Sequence, residues 1–124
     1  MNISLEDLTR DVVRFRDQRD WAQFHTPRQL AAALAIEAAE LQEVLLWKTD
    51  EEVRGLVTDE AGAARTRHEL ADILIYALLF AEATGIDIAA AVREKLVHNA
   101  EKYPVTDSKG RATKYTELPA PRAE

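Results

Sequence analysis

The sequence predicts an all-α protein, an antiparallel four-helix bundle whose chains assemble into a homo-oligomer. Apolar residues recur at helical spacing in four segments, and no segment alternates apolar and polar residues as a half-buried strand does. Only four glycines and four prolines interrupt the 124 residues, and they fall where helices should begin or end. Four helices joined by short connections favour a bundle.

The first two predicted helices each begin at a recognisable capping residue. Ser4 is the predicted N-cap of a helix over residues 5–17. Thr26 is the predicted N-cap of a second helix over residues 27–47, in which Pro27 stands where its missing N–H costs nothing. Both starts follow from local chemistry, because a capping oxygen satisfies backbone N–H groups that the first turn leaves unpaired.

The third predicted helix is unusually apolar. Gly55 and Gly62, among several charged residues, predict a short connection with room for a helical turn. The helix then spans residues 63–84, and Gly85 is its predicted stop. Its residues 70–81 are apolar on every side except for one acid, and a helix apolar all round must be covered all round. Four short helices of one chain cannot easily provide that cover, so we expect the subunits of a homo-oligomer to bury this segment.

The last predicted helix separates a domain from a tail. Asp87 is the predicted N-cap of a helix over residues 88–103, which Pro104 ends. Residues 105–124 show little periodicity. The predicted organisation is therefore one all-α domain over residues 1–104, followed by an extended or partly disordered tail.

The composition excludes several classes of function. The chain has no cysteine, which excludes a disulfide scaffold and a thiolate zinc or iron–sulfur site. Sixteen basic against 22 acidic residues give a net charge of −6, a poor match for polyanionic nucleic acid. The N-terminus has no signal-peptide layout, and no apolar run approaches the roughly 20 residues that span a bilayer. We expect a cytoplasmic protein without a nucleic-acid or membrane partner.

Carboxylates interrupt the apolar faces of the second and third predicted helices. Glu37 occupies a place in an apolar stripe, and Glu40 lies one turn on. The other members of that stripe are Leu30, Leu34, Leu41 and Val44. Glu69 and Asp72 repeat the three-residue spacing on the third helix, where Asp72 is the lone acid of the apolar run. Because residues three apart are neighbours on a helix, two such pairs on packed helices bring four carboxylates within reach of one point.

These four acids predict a site for a divalent cation. Like charges that lie a few ångströms apart and away from water cannot all stay ionised unaided. All-oxygen ligation without histidine or cysteine suits a hard ion, which predicts Mg²⁺ with Mn²⁺ as its substitute. A di-iron site needs Glu-x-x-His on two helices, and none of the three histidines follows a glutamate by three residues. The alternative is that all four acids are solvated residues on helix surfaces.

The acid motif resembles that of a known family. Glu37-x-x-Glu40 followed by Glu69-x-x-Asp72 is similar to the motif of the MazG-like all-α nucleotide pyrophosphohydrolases. Four further blocks are similar to the dCTP pyrophosphatase branch of that superfamily: RDWAQFHTPR at residues 19–28, WKTD at 47–50, DILIY at 72–76 and KYTELP at 114–119. The resemblance covers almost the whole chain at closely matching spacing.

The resemblance implies an activity and a site. It implies hydrolysis of a nucleoside triphosphate between its α- and β-phosphates, which gives a monophosphate and pyrophosphate, and it implies assembly as a homotetramer. The positions that would bind magnesium are Glu37, Glu40, Glu69 and Asp72, and the aromatic residues that would line the nucleotide pocket are Trp21, Trp47 and Tyr76. One of the acids, Glu40 or Glu37, could also orient the attacking water. This chain departs from vertebrate members at Val12, where they carry a histidine on the substrate side.

Further residues are candidate substrate contacts, each with a plainer alternative. His25 lies in the loop before the second helix, where it could form a wall of the pocket or simply pack and cap. The candidate phosphate contacts are Lys48, Lys95, Asn99 and Lys102. Each lysine could equally belong to a solvated basic face and contact no phosphate. Trp47 and Tyr76 could equally be core or interface aromatics.

Three functions stay open at this point. The first is Mg²⁺-dependent hydrolysis of dCTP, with modified dCTPs as further substrates, in nucleotide-pool house-cleaning. The second is a broad-specificity deoxynucleotide hydrolase. The third is a non-catalytic helical oligomer that acts as a binding module, which, unlike either enzyme, predicts no loss of function for Asp72→Asn.

Overall fold

The computed structural model describes residues 2–118, and within that range it contains α-helices, two 3₁₀ turns and no β-strand. The prediction of an all-α protein is confirmed. The helices are α1 (Leu5–Gln18), α2 (Pro27–Leu45), α3 (Asp50–Thr58), α4 (Glu60–Thr84), α5 (Ile88–Lys102) and α6 (Val105–Ser108). The 3₁₀ turns are Ala22–Phe24 and Tyr115–Glu117.

Three predicted N-caps are present with the expected hydrogen bonds. At α1, the Asp7 N–H donates to Ser4 Oγ and the Ser4 N–H donates to Asp7 Oδ2, each over 3.0 Å, which makes a reciprocal capping box. Thr26 accepts from the third residue of α2, and Asp87 accepts from the third residue of α5. These helix starts depend on neighbours in sequence, which is why the sequence predicts them.

The segment predicted as a short connection contains a complete helix. α3 is nine residues long, and Thr49 and Glu52 form a second reciprocal capping box at its start. The acids of its first turn, which resemble loop residues in the sequence, stabilise the helix by lying near its positive end. The charges were therefore a helix-start signal rather than a loop signal.

α4 begins three residues earlier than predicted and ends where predicted. Asp59 caps it by accepting from the Gly62 N–H over 3.2 Å. A side chain at position 62 would collide with the Leu56 carbonyl oxygen, so glycine lets α3 approach the start of α4. At the other end Gly85 is left-handed with φ 71°, as a glycine C-cap requires.

The chain forms two compact units, of which the first ends at Ile86 and the second begins at Asp87. In the first unit α2 and α4 form the most extensive helix pair, and α1 and α3 each pack on α4. The buried apolar side chains are Leu30, Val44, Leu78, Leu79 and Ala81. An ion pair of 2.6 Å between Arg16 Nη1 and Glu82 Oε2 joins α1 to α4.

The second unit contains α5 and the segment predicted as a tail. α6 and the turn at Tyr115–Glu117 give part of that segment regular structure. Tyr115 packs edge-on against Tyr103 at 6.0 Å between ring centroids, and Lys102 Nζ lies 4.7 Å from the Tyr115 ring. The predicted domain boundary at residue 104 stays a prediction, and residues 119–124 of the predicted tail lie outside the described residues.

No single helix within residues 2–118 has the length and apolar character needed to cross a membrane, although α4 and α5 pass that test when counted together.

Candidate active site

Three of the four predicted metal ligands lie together. One carboxylate oxygen from each of Glu37, Glu40 and Glu69 lies within 4.8 Å of the other two. Glu37 and Glu40 extend from adjacent turns of α2, and Glu69 extends from α4. All three residues are half-buried. The packing of α2 on α4 therefore converts two short sequence motifs into one acid cluster, defined here as these three glutamates.

Asp72, the fourth predicted ligand, lies beside the acid cluster. It is not one of the three residues whose oxygens meet within 4.8 Å. Its negative charge nevertheless raises the pKa of Glu37 and of Glu69, and it lines the same pocket as Glu37. Asp72 is thus close enough to share the electrostatic field of the cluster.

The groups around the acid cluster do not fully balance its negative charge. Burial, followed by a side-chain hydrogen bond with Glu40 and then the charges of Glu40, Asp72 and Glu69, raises the pKa of Glu37 to about 7 from its ordinary 4.5. The pKa of Glu69 is also raised, chiefly by burial and then by Glu40 and Asp72, while Arg65 acts in the opposite direction. Among the described residues, the protein provides no hydrogen-bond partner for the buried atoms Glu37 Oε2 and Glu69 Oε2.

These features fit a hard divalent cation. Buried carboxylate oxygens without donors are costly, and a cation that binds them replaces the missing donors. The cluster offers oxygen atoms alone, which is the donor set that Mg²⁺ and Mn²⁺ prefer. The residues present therefore suit the metal that the sequence predicts.

A pocket of about 370 Å³ opens beside the acid cluster, within the first unit. Its walls are Asp11, Val12, Phe15, Arg16, Trp21, His25, Glu37, Asp72, Ile75, Tyr76 and Leu79. Four of these form a chain of aromatic contacts: the centroid of Trp21 lies 5.9 Å from Phe15 and 6.3 Å from His25, which in turn lies 6.4 Å from Tyr76. An apolar, aromatic wall next to carboxylates suits a ligand that has both a flat ring and a metal-binding group.

Two polar groups in the pocket are available to such a ligand. His25 Nδ1 is buried and has no hydrogen-bond partner among the described residues. Burial and the charges of Glu37, Asp72 and Glu40 raise the pKa of the Tyr76 phenol above its ordinary 10.0. The hydroxyl of Tyr76 therefore keeps its proton at neutral pH and can donate a hydrogen bond beside the acids.

Trp47 and Lys48, both predicted to contact substrate, lie outside this pocket. Trp47 follows the end of α2, is 92% exposed and has a φ of 63°. A positive φ is uncommon for a bulky residue. Lys48 lines a separate open depression of about 550 Å³ together with Arg65.

The remaining predicted contacts belong to the second unit. Lys95 and Asn99 lie on α5, where Lys95 is exposed and Asn99 is half-buried. Lys102 is the last residue of that helix. The roles of these three residues at a phosphate stay predictions.

The pocket also contains residues that sequence reasoning did not select. Phe15, Ile75 and Leu79 have the helical spacing of ordinary core residues, so nothing in the sequence marks them as pocket residues. From the sequence alone, Asp11 and Arg16 would be assigned to the charged face of α1. Their position in the pocket depends on how α1 packs on α4, which no local pattern records.

The fold and the acid cluster are accompanied by similarity to known proteins. Residues 32–118 match the MazG-like family, and the chain belongs to that family. A protein named dCTP pyrophosphatase 1 from Bos taurus is 43% identical over 116 residues, which cover 94% of this chain and 69% of the relative. The Homo sapiens protein of the same name is 40% identical over 116 residues, which cover 94% of this chain and 68% of the relative.

A solved structure is similar as well. The crystal structure of a pyrophosphatase from Archaeoglobus fulgidus matches with a TM-score of 0.76 and 33% sequence identity. The match covers 84% of this chain and 95% of that one. The family resemblance predicted from the sequence motifs is therefore confirmed.

Proposed function

We propose that this protein is a divalent-metal-dependent nucleotide pyrophosphohydrolase that converts dCTP to dCMP and pyrophosphate. The observation that carries the proposal is the acid cluster beside an aromatic pocket, in a chain that is similar over 94% of its length to proteins named dCTP pyrophosphatase 1. A cation site next to a pocket for a flat ring is what a nucleoside triphosphate requires. Modified dCTPs are further proposed substrates.

The acid cluster and Asp72 would hold Mg²⁺, for which Mn²⁺ can substitute. When bound, such an ion offsets the charge of the phosphates and lowers the pKa of a water molecule. Glu37 is the residue common to the acid cluster and the pocket wall. It is therefore our candidate, rather than Glu40, for the carboxylate that orients the attacking water toward the α-phosphorus.

The pocket residues would bind the nucleoside. Trp21, His25 and Tyr76 supply flat faces for the base and polar atoms for the sugar or base. Trp47, Lys48, Lys95 and Asn99 are proposed as further contacts to the base or the phosphates. The lysines suit phosphate oxygens because each ammonium group supplies three donors.

A homo-oligomer, specifically a homotetramer, is part of the proposal. Ile36 on α2 is 58% exposed in the single chain, and Leu70 and Leu74 on α4 are 59% and 41% exposed. Exposed apolar side chains on these two helices favour burial against another subunit. A cytoplasmic location, where nucleotide pools are found, remains the expectation from the sequence.

The test is a product assay with each deoxynucleoside triphosphate and Mg²⁺. We expect dCMP and pyrophosphate from dCTP at the highest rate, and no turnover in EDTA. Similar rates for all four substrates would support broad-specificity house-cleaning instead, and release of orthophosphate would contradict cleavage between the α- and β-phosphates. Glu69→Gln should abolish turnover, whereas Glu43→Gln, an exposed acid of α2 outside the cluster, should not.

A further inference from the structure

The side of the pocket formed by α1 has a polar group at each edge. Asp11, Val12, Phe15 and Arg16 face the pocket. At 3.6 residues per turn, Asp11 and Arg16 lie roughly 140° apart around the helix, with Phe15 and Val12 between them. The wall therefore presents a carboxylate and a guanidinium on either side of an apolar strip.

The Arg16 end of this wall lies away from Asp72 along α4. Arg16 is bonded to Glu82, which follows Asp72 by ten residues on α4. Ten residues of helix span about 15 Å. A triphosphate held at Glu37 and Asp72 would direct its base away from the acids, and Arg16 lies at that far end.

Arg16 is fixed in place before any ligand arrives. Its Nε donates to Asp17 over 2.9 Å and its Nη1 donates to Glu82 over 2.6 Å, and its side chain is only 13% exposed. A guanidinium carries five N–H donors, so these bonds leave N–H groups for a ligand. An anchored donor loses little conformational entropy when a ligand binds.

Asp11 is a ready acceptor at the other edge. It is exposed, and it takes part in none of the ion pairs found among residues 2–118. An ionised carboxylate can only accept hydrogen bonds, so it attracts an amino group and repels a carbonyl oxygen. The two edges thus offer one acceptor and one fixed donor.

We propose that Asp11 and Arg16 contact the edge of the base, with Asp11 accepting from a 4-amino group and Arg16 donating to the 2-carbonyl oxygen. Cytosine presents that pattern, an amine next to acceptor atoms, whereas uracil places a carbonyl oxygen opposite the carboxylate. Asp11 is then the residue that rejects 4-oxo pyrimidines. The assignment rests on the proposed function, because it takes the ligand to be a nucleotide held at the acid cluster.

Asp11→Asn tests this assignment with a matched pair of substrates. dCTP and dUTP differ at position 4, where Asp11 would make contact, and in the proton on N3, whereas they share the 2-carbonyl oxygen assigned to Arg16. An amide at position 11 can either accept or donate. We expect the ratio of kcat/KM for dCTP to that for dUTP to fall roughly tenfold or more, through slower dCTP and faster dUTP turnover. Glu6→Gln removes one charge from an exposed site of α1 outside the pocket, and it should leave the ratio unchanged. An unchanged ratio in Asp11→Asn would overturn the assignment.

Arg16 has a different expected signature. Both pyrimidines carry the 2-carbonyl oxygen, so Arg16→Gln should weaken dCTP and dUTP by the same factor, and Arg14→Gln on the exposed side of α1 should weaken neither. A selective loss of one substrate would contradict the role given to Arg16. Thermal melting checks that the fold survives loss of the bond to Glu82.

Binding of the monophosphates separates this inference from the proposed function. Calorimetry should show that the wild-type protein prefers dCMP to dUMP and that Asp11→Asn does not. A protein that shows this preference but cleaves no triphosphate would contradict only the proposed function. A protein that cleaves dCTP yet shows no Asp11-dependent preference would contradict only the inference.

Discussion

The apolar core and the acid cluster lie on the same two helices, and they contribute to stability in opposite directions. Leu30 of α2 and Leu78 of α4 are 1% and 2% exposed, and their burial stabilises the fold in the absence of any ligand. Seven residues from Leu30, on the same face of α2, Glu37 has a buried oxygen without a partner. One helix pair therefore combines a region whose burial stabilises the fold with a region whose charges cost stability until a cation binds.

The largest expected effect on activity comes from removing one charge beside the acid cluster. Asp72→Asn preserves the side-chain volume, so folding and assembly should persist. Turnover of dCTP should fall by more than about a hundredfold, because the site loses part of the charge that balances the cation. Steady-state kinetics with size-exclusion chromatography provide the check, and near-normal turnover would favour a non-catalytic binding module.

Truncation of a side chain in the apolar core should instead lower the stability of the protein. Leu30→Ala removes a side chain that is 1% exposed, which should lower the free energy of unfolding by about 2–5 kcal/mol. Leu46→Ala, at a side chain that is 45% exposed, is the matched control and should cost far less. Urea titrations measure both, and equal losses would mean that the α2–α4 core is not where the structure places it.

The stability of the metal-free protein should decrease as the pH rises. Burial and the neighbouring acids raise the pKa of Glu37 to about 7 from 4.5, so the folded state binds more protons than the unfolded state between these values. The free energy of unfolding therefore falls as pH rises through this window and stays low above it.

Glu37→Gln isolates that effect. In EDTA the variant should melt at a higher temperature than the wild-type protein at pH 8, and the difference should shrink at pH 5, where the carboxyl of the wild type is mostly protonated. Thermal melts at both pH values measure it. A variant that is no more stable than the wild type at pH 8 would show that this acid is already compensated without a cation.

The smallest expected effects come from two glycine substitutions, one at the end of α4 and one inside α3. Gly85 has a left-handed φ of 71°, so Gly85→Ala should cost about 1 kcal/mol. Gly55 lies inside α3 with open space around it, so Gly55→Ala should instead stabilise by about 0.5–1 kcal/mol. Opposite signs in urea titrations are the predicted result, and equal signs would contradict these backbone assignments.

Local chemistry predicted most of the helices from the sequence. The caps at Ser4, Thr26 and Asp87 and the stop at Gly85 each depend on residues within one turn. α3 was missed because the acids of its first turn resemble those of a loop until the Thr49–Glu52 capping box is recognised.

The site was predictable where it depends on periodicity and not where it depends on packing. Glu37, Glu40, Glu69 and Asp72 interrupt apolar faces at helical spacing, which a sequence displays directly. The α1 wall of the pocket depends on the angle at which α1 meets α4. Neither Asp11 nor Arg16 differs in sequence from any other charged residue of a helix surface.

The most direct test of the cation site is anomalous diffraction from crystals soaked in Mn²⁺. We predict a single strong cluster of anomalous density within coordination distance of the Glu37, Glu40 and Glu69 oxygens, which Glu69→Gln weakens or removes. Manganese found only at other positions, or a wild-type acid cluster with no anomalous density at saturating Mn²⁺, would contradict the account.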